Sequence, residues 1–445
     1  MSLLAGAATV DISPPLGVQL FGYPHVHRLA TGIHDPLLAS ALVLRQGDTT
    51  QACLALDLLF LDPPTARAAR RRVASTLGIE ERRVFVSCTH THSGPVTTRL
   101  LGWDGDVGAP PPDPAYLESV VVRVVEAAQA AAARLAPAEA AWTRAPVEGV
   151  GGNRHDPAGP ADPEAGVLMV RAAEDGRALA AITVYSMHPT VLHEDSTLVS
   201  ADFPYYTRLA LRERLGPGLV TLYFNGPSGN QSPRHHVKGQ TFGEAERLGR
   251  RLGAAIADAV ANLSPGTFSR AVTLNAAVRP FVPVRRQVPS PADAVRQLAA
   301  YRSEYGRLVA AGAPRAAVRT AECSVFGAEG AVVLARLQAS GEIARLLAEY
   351  EPFEVQAVRV GEAALVGFPG ELFTEYGLAV KRLARGRVFP VAFTNGELQG
   401  YIVTPEAAAA GGYEAVGAVF ASESWPLMLA AARELLVELG FGGCA

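Results

Sequence analysis

The chain has 445 residues, 49% of them hydrophobic and 19% charged, with a formal net charge of -3. That is ample apolar material for one large α/β domain or two ordinary ones, and disorder is not expected. The charge balance leaves no electrostatic footprint for nucleic acid, and no run of about 18 apolar residues announces a transmembrane helix.

The amino terminus lacks the basic region of a signal peptide. Cys53, Cys88, Cys323 and Cys444 show no C-x-x-C spacing, so neither a cysteine zinc site nor a disulfide scaffold is indicated. A reducing compartment, the cytoplasm, is the expectation, with secretion left open.

Thr9 to Ile12 reads as a short strand leading into a Gly-rich loop, Gly17 to Pro24, of the kind that lets backbone approach a ligand. His25 and His27 read as exposed loop histidines. Two apolar strands follow, Leu38 to Leu44 and Gln51 to Leu59, joined by a hairpin turn at Gln46-Gly47-Asp48. Asp57 interrupts the second, and a carboxylate there needs a partner. It is either a structural ion-pair member or a group orienting a ligand histidine. An amphipathic helix over Thr65 to Leu77 then feeds the strand Arg83 to Ser87, giving a β-α-β order.

That strand runs into Thr89-His90-Thr91-His92-Ser93-Gly94-Pro95. Both imidazoles fall at or just past a strand's carboxyl end, where open α/β sheets put their ligands. Residues two apart on extended backbone point to the same side. The pattern alone serves either a metal pair or two hydrogen-bonded turn histidines.

A helix is expected over Asp113 to Leu135. Arg154 follows in a Gly-rich loop, as an oxyanion-binding group or a solvated residue. The strand Leu179 to Met187 ends directly in His188, and the polar run His193 to Asp202 precedes a helix from Tyr205 to Leu215. The strand Leu219 to Phe224 opens into Asn225 to Pro233, a tight polar loop before a helix over Gly243 to Asn262. Such a loop can offer N–H groups or a hydroxyl to an anionic transition state. No G-x-S-x-G pattern occurs there, which weakens a serine-hydrolase reading through Ser232.

Residues 280–350 read as a helical insertion covering one face, with no chemistry of their own. Strands return at Glu354 to Val360 and Ala363 to Phe368, and Pro369-Gly370-Glu371 opens a helix over Leu372 to Arg385. Phe389 to Phe393 reads as a strand, and Trp425 to Leu439 as the last helix. No repeat or linker marks a second unit. The fold class expected is α/β, a single large domain over 1–445 with mixed β-sheets flanked by helices and a metal site at strand carboxyl ends.

Taken in order, Gly6 to Ile12 with Gly22-Tyr23, Gly32-Ile33-His34, the double-histidine motif, Asn153-Arg154, His188-Pro189-Thr190, Gly229 to Pro233, Pro369-Gly370-Glu371, Tyr401 to Thr404 and Tyr413-Glu414 resemble one family. It is the amino-terminal catalytic domain of the neutral/alkaline (non-lysosomal) ceramidases, zinc amidases acting on N-acylsphingosine. The resemblance implies Zn²⁺ held by His90, His188, Glu371 and Tyr401, a nitrogen/oxygen set suited to that ion. It places His92 and Arg154 toward substrate, Tyr413 as a hydrogen-bond donor, and Gly22 and Tyr23 along the pocket. Ser232 matches a serine once proposed as nucleophile and is given a supporting role, because zinc-activated water already supplies one.

The carboxyl-terminal sandwich domain of family ceramidases is expected to be absent. The activity implied is hydrolysis of a C–N amide bond in an N-acyl lipid or a smaller acyl amide, with His92 helping to stabilise the developing oxyanion. The alternatives are a serine esterase using Ser232 and a non-catalytic, metal-stabilised binding protein.

Overall fold

The structure, a computed structural model, describes residues 2–385 and 387–441. Its main strands form three four-stranded groups about a shared core. The first comprises Leu4–Asp11, Leu38–Gln46, Thr49–Leu56 and Val84–Cys88, antiparallel except for the last pair. The second comprises Ala136–Pro146, Glu164–Ala172, Ala178–Tyr185 and Val220–Asn225, again parallel only at the last pair.

These two groups are one eight-stranded sheet, joined where Leu4 and Ala5 pair with Pro137 and Ala136. So short a joint lets the sheet turn a corner, and its far edges meet, with the Phe85 and Phe224 rings 5.4 Å apart. The third group, Leu274–Phe281, Phe353–Val360, Ala363–Gly367 and Val388–Val391, packs onto the same core. Trp142 ties it to the second by donating to the Val360 carbonyl at 2.8 Å.

The period-two alternation of strand side chains assigns each face. In Thr49–Leu56, Ala52, Leu54 and Leu56 face the helices Pro63–Leu77 and Pro114–Ala132, while Cys53 and Ala55 face the shared core. In Phe353–Val360, Val355 and Ala357 face outward to helices, and Val358 and Val360 inward. Both faces are buried, so the strands read as continuous apolar runs. This is the mixed α/β architecture expected from sequence.

Several boundaries differ from those read off the sequence. Thr9 to Ile12 overlaps the end of a longer strand, Leu4–Asp11. Ala136–Pro146, Glu164–Ala172 and Leu274–Phe281 went unread; alanine, proline and charged residues mask them, and pairing with neighbours rather than propensity makes them strands. Glu371 does not open a helix. Glu371–Leu372 pairs in parallel with Tyr401–Ile402, and the helix spans Thr374–Arg382. The helices Pro291–Ala310, Arg315–Ala339 and Glu342–Tyr350 occupy most of 280–350. Cys53, Cys88 and Cys323 are free thiols, and Cys444 lies outside the described residues. Among the described residues no helix is long and apolar enough to cross a membrane.

Asp57 is a structural ion-pair member. Its Oδ2 accepts from the Leu38 N–H at 2.9 Å, and its Oδ1 from the guanidinium of Arg208 on the helix Phe203–Leu215. The pair is buried and pins a strand of the first group to a helix over the second. Asp57→Ala leaves Arg208 buried without its counter-charge and should cost about 3–5 kcal/mol in urea denaturation.

Candidate metal centre and its cavity

Past the parallel pair Thr49–Leu56 and Val84–Cys88 the two chains stay zipped. The Thr89 N–H donates to Leu56 O at 2.8 Å and the His90 N–H to Leu58 O at 2.9 Å. This holds His90 at φ +70°, a left-handed conformation rare for a side-chain-bearing residue. Its Nδ1 lies 3.1 Å from Leu59 O, and its ring stacks on Phe393 at 4.0 Å. A carbonyl only accepts, so Nδ1 carries the hydrogen. The neutral ring then turns an Nε2 lone pair inward.

His188 is held the same way. It follows Ala178–Tyr185, and its Nδ1 sits 2.8 Å from Ser228 O and 2.9 Å from Gln231 O. The polar loop after Phe224 thus presents carbonyls to an imidazole, where sequence reasoning had it presenting N–H groups to an anion. Third comes His92, with Nδ1 3.0 Å from Gly22 O. Gly22 has φ +114°, and a Cβ on it would fall 2.5 Å from that Nδ1, so only glycine allows the approach.

The ligand nitrogens of His90, His92 and His188 all lie within 4.8 Å of one another. Glu371 Oε2 is 3.4 Å from His90 Nε2 and 3.2 Å from His188 Nε2. Inward lone pairs facing a carboxylate repel one another unless positive charge sits among them. A nitrogen/oxygen donor set of this kind fits a divalent transition-metal ion. His90, His188 and Glu371 thus converge, and His92 belongs to the nitrogen cluster as closely as they do.

Tyr401 lies beside Glu371 through the parallel bridge. Burial first, then the Glu371 charge, pushes its phenol well above the ordinary value, while Arg154 pulls it down. Arg154 is no solvated loop residue. Its Nη2 donates to Tyr401 Oη at 3.2 Å and its Nε to Glu414 Oε1 at 2.8 Å, and His155 Nε2 reaches the same oxygen at 2.9 Å. Burial opposes the Glu414 charge, but Arg154 and His155 hold it down at about 2. Sequence reasoning gave Glu414 no role, although an Arg buried beside Tyr413-Glu414 needs such a partner.

Ser232 Oγ makes one hydrogen bond among the described residues, accepting from the Arg234 N–H at 3.2 Å. Among the described residues no histidine is hydrogen-bonded to it. Tyr413 packs against Tyr401 with ring centroids 5.7 Å apart, and burial pushes its phenol far up.

Two cavities meet at this cluster. An outer one of about 990 Å³ is lined by Tyr23, Arg154, His188, Ser232 and Glu414, together with the helix Arg315–Ala339. An inner one of about 60 Å³ is lined by His90, Glu371, Leu59, Phe60, Leu100 and Trp103. Gly22, His92, Phe326, Tyr401 and Tyr413 border both. Phe326 comes from the segment that seemed chemically silent in the sequence; its helical context gave no sign of which face would meet the site.

Fold and site together define a mixed α/β domain with a nitrogen/oxygen cluster at the head of an open cavity. Residues 3–215 match the family model for neutral/alkaline non-lysosomal ceramidase, N-terminal. Over those residues the chain is similar to that family. No curated protein matches the chain.

Among solved structures, a ceramidase complexed with C2 superposes with a TM-score of 0.75 at 18% identity, covering 99% of this chain and 75% of that one. A neutral ceramidase from Pseudomonas aeruginosa gives a TM-score of 0.73 at 18% identity, with 98% and 75% covered. At that identity the likeness is one of fold.

Burial, with Glu371 working against it and the Arg154 charge adding to it, brings His188 down from 6.5 to about 4. As pH falls through that window the unfolded chain takes up the proton first. The native advantage is therefore full above about pH 6.5 and declines toward pH 4, by about 3 kcal/mol for this group. In metal-free protein the urea midpoint should drop between about pH 7 and pH 4.5, and His188→Asn should flatten the drop.

Proposed function

We propose that the chain is a metal-dependent amidohydrolase cleaving the C–N bond of a ceramide-like N-acyl amide, with Zn²⁺ as the metal. His90, His188, Glu371 and Tyr401 are its assigned ligands. The observation that carries this reading is the convergence of inward-turned imidazole nitrogens on the Glu371 carboxylate at the head of a cavity. The family match over 3–215 supports the reaction class.

Bound Zn²⁺ would supply Lewis acidity and bring the pKa of water toward about 7. The protein's own groups do the rest. His92 has its hydrogen on Nδ1, held to Gly22 O, and burial together with the neighbouring rings keeps it neutral. Its free Nε2 therefore accepts a proton from the attacking water and can return it to the departing amine. This role departs from the oxyanion donor expected of His92 from sequence. Tyr413 keeps its phenolic hydrogen and is the donor suited to the oxyanion. Arg154 keeps its charge and positions Tyr401, and Tyr23 and Gly22 line the way in.

Chelation of purified protein should abolish amide hydrolysis, and added Zn²⁺ should restore it. His90→Ala and Glu371→Ala should lose metal by elemental analysis. Activity that survives chelation, with labelling of Ser232 by a fluorophosphonate, would replace this reading with a serine esterase. Metal-replete protein that cleaves no N-acyl amide or ester would leave a binding protein. Tyr413→Phe should keep its metal and lose about 10²–10³ in kcat.

A further inference from the structure

We infer that Arg28 is a positioning residue for His92: its buried guanidinium joins the Phe21 and His92 carbonyls and so holds the His92 ring in the orientation that can move a proton. This rests on the amidase reading and deepens it, by naming the group that sets its proton carrier in place.

In His27-Arg28-Leu29 the usual order of burial is inverted. Leu29 is 42% exposed and Arg28 only 2%, although an arginine is seldom buried without a counter-ion. Its backbone aims it inward. The Arg28 N–H donates to Gln19 Oε1 at 3.1 Å, and its carbonyl accepts from the Leu20 N–H at 2.7 Å. Nη2 then donates to Phe21 O at 3.0 Å and His92 O at 2.6 Å, and Nη1 to His193 O and Ser196 O, each at 3.2 Å. Among the described residues its hydrogen bonds all go to carbonyls and none to a carboxylate. A neutral amide has one NH₂ group for two acceptors, whereas the planar fork of arginine serves four at fixed angles.

Phe21 and His92 show what the clamp secures. Their segments pair antiparallel at Leu20 and Pro95, and the Phe21 N–H donates to Gly94 O at 2.9 Å. One step nearer the cluster, the Phe21 and His92 carbonyls converge on a single nitrogen. Two acceptors cannot bond each other, but Nη2 carries two hydrogens, one for each. The next carbonyl along is that of Gly22, which holds His92 Nδ1 at 3.0 Å. Arg28 therefore grips the backbone on both sides of this contact. Tyr23 closes over it, with its ring 4.9 Å from the guanidinium and 5.2 Å from the His92 ring.

Without the clamp the two carbonyls repel, Gly22 O draws away, and the His92 hydrogen is free to pass to Nε2. A ring in that tautomer no longer accepts a proton from the cavity. His90 and His188 take their tethers from Leu59, Ser228 and Gln231, which Arg28 does not touch. The clamp therefore acts on His92 and leaves the assigned ligands alone.

Arg28→Gln should keep its metal by elemental analysis and hold KM within about threefold, while kcat falls by about 10². In a His92→Asn background the same change should lower kcat by less than about twofold, because the group it positions is gone. Nitrogen NMR of labelled histidines, assigned by difference against His92→Asn, reads the tautomer without turnover. The His92 hydrogen should sit on Nδ1 in wild type and be shared with Nε2 in Arg28→Gln.

An unchanged kcat, a loss of equal size in the His92→Asn background, or metal lost in step with activity would overturn the inference. So would a hydrogen that stays on Nδ1. Should Arg28→Gln fail to fold, Arg28→Lys is read by the same measurements. If wild type cleaves no amide, the amidase reading fails, and the NMR comparison alone decides whether Arg28 sets the His92 ring.

Discussion

Three imidazoles, His90 and His188 buried and His92 half-buried, each tied through Nδ1 to a backbone carbonyl, are the constraint on which the centre depends. The carbonyls come from Leu59, Ser228 and Gln231, and Gly22. Those segments lie far apart in the chain. The tethers decide the tautomer. The tautomer decides that the lone pairs, and not the hydrogens, look at Glu371. Without positive charge between them, such groups in a low-dielectric interior are a liability to the fold. The arrangement therefore makes sense as a receptor for a cation, held ready by hydrogen bonds that do not involve it.

The corner between Leu4–Asp11 and Ala136–Pro146 is what allows the tethers to meet. In a flat eight-stranded sheet the edge strands Val84–Cys88 and Val220–Asn225 would be its two remote margins. Folded at the corner, they bring Thr89 and Asn225 into hydrogen-bond contact at 3.4 Å. The local backbone carries strain to match. His90, Phe393 and Gln399 all have positive φ, Phe393 stacked on His90 and Gln399 in the wall of the same cavity. Each such residue costs about 1–3 kcal/mol where nothing compensates it, so the surrounding packing must hold them. Phe393 shows how, its ring lying flat on that of His90.

What the sequence made legible follows from how local each signal is. A histidine directly after an apolar strand needs only its neighbours to be noticed, and His90 and His188 stood out on that ground. Asp57 stood out because a carboxylate in a run of Leu and Ala has no local explanation, but its partner, Arg208, is 151 residues away. A separation of 260 residues hid the match between Arg154 and Glu414. The carbonyls of Ser228 and Gln231 were invisible for another reason: every residue has one, and only the fold says which are aimed at a ring. Ala136–Pro146 was missed because its strand character belongs to its pairing partners. Trp103 and Phe326 carry no pattern that separates a cavity wall from ordinary core.

Tyr401 shows how the pieces depend on one another. A phenol serves as an oxygen ligand only if it gives up its proton, and here burial and the Glu371 charge both oppose that. Two positive charges can reverse the balance: the proposed ion, and Arg154, whose Nη2 touches the phenol oxygen. Arg154 is in turn held by Glu414, itself kept ionised by Arg154 and His155. The loop residue whose role the sequence left open thus stands at the start of a chain of charge that ends on the candidate ligand. In that chain Glu414 matters by keeping Arg154 in place, since an Arg free to swing into the outer cavity would leave Tyr401 a neutral phenol facing a carboxylate.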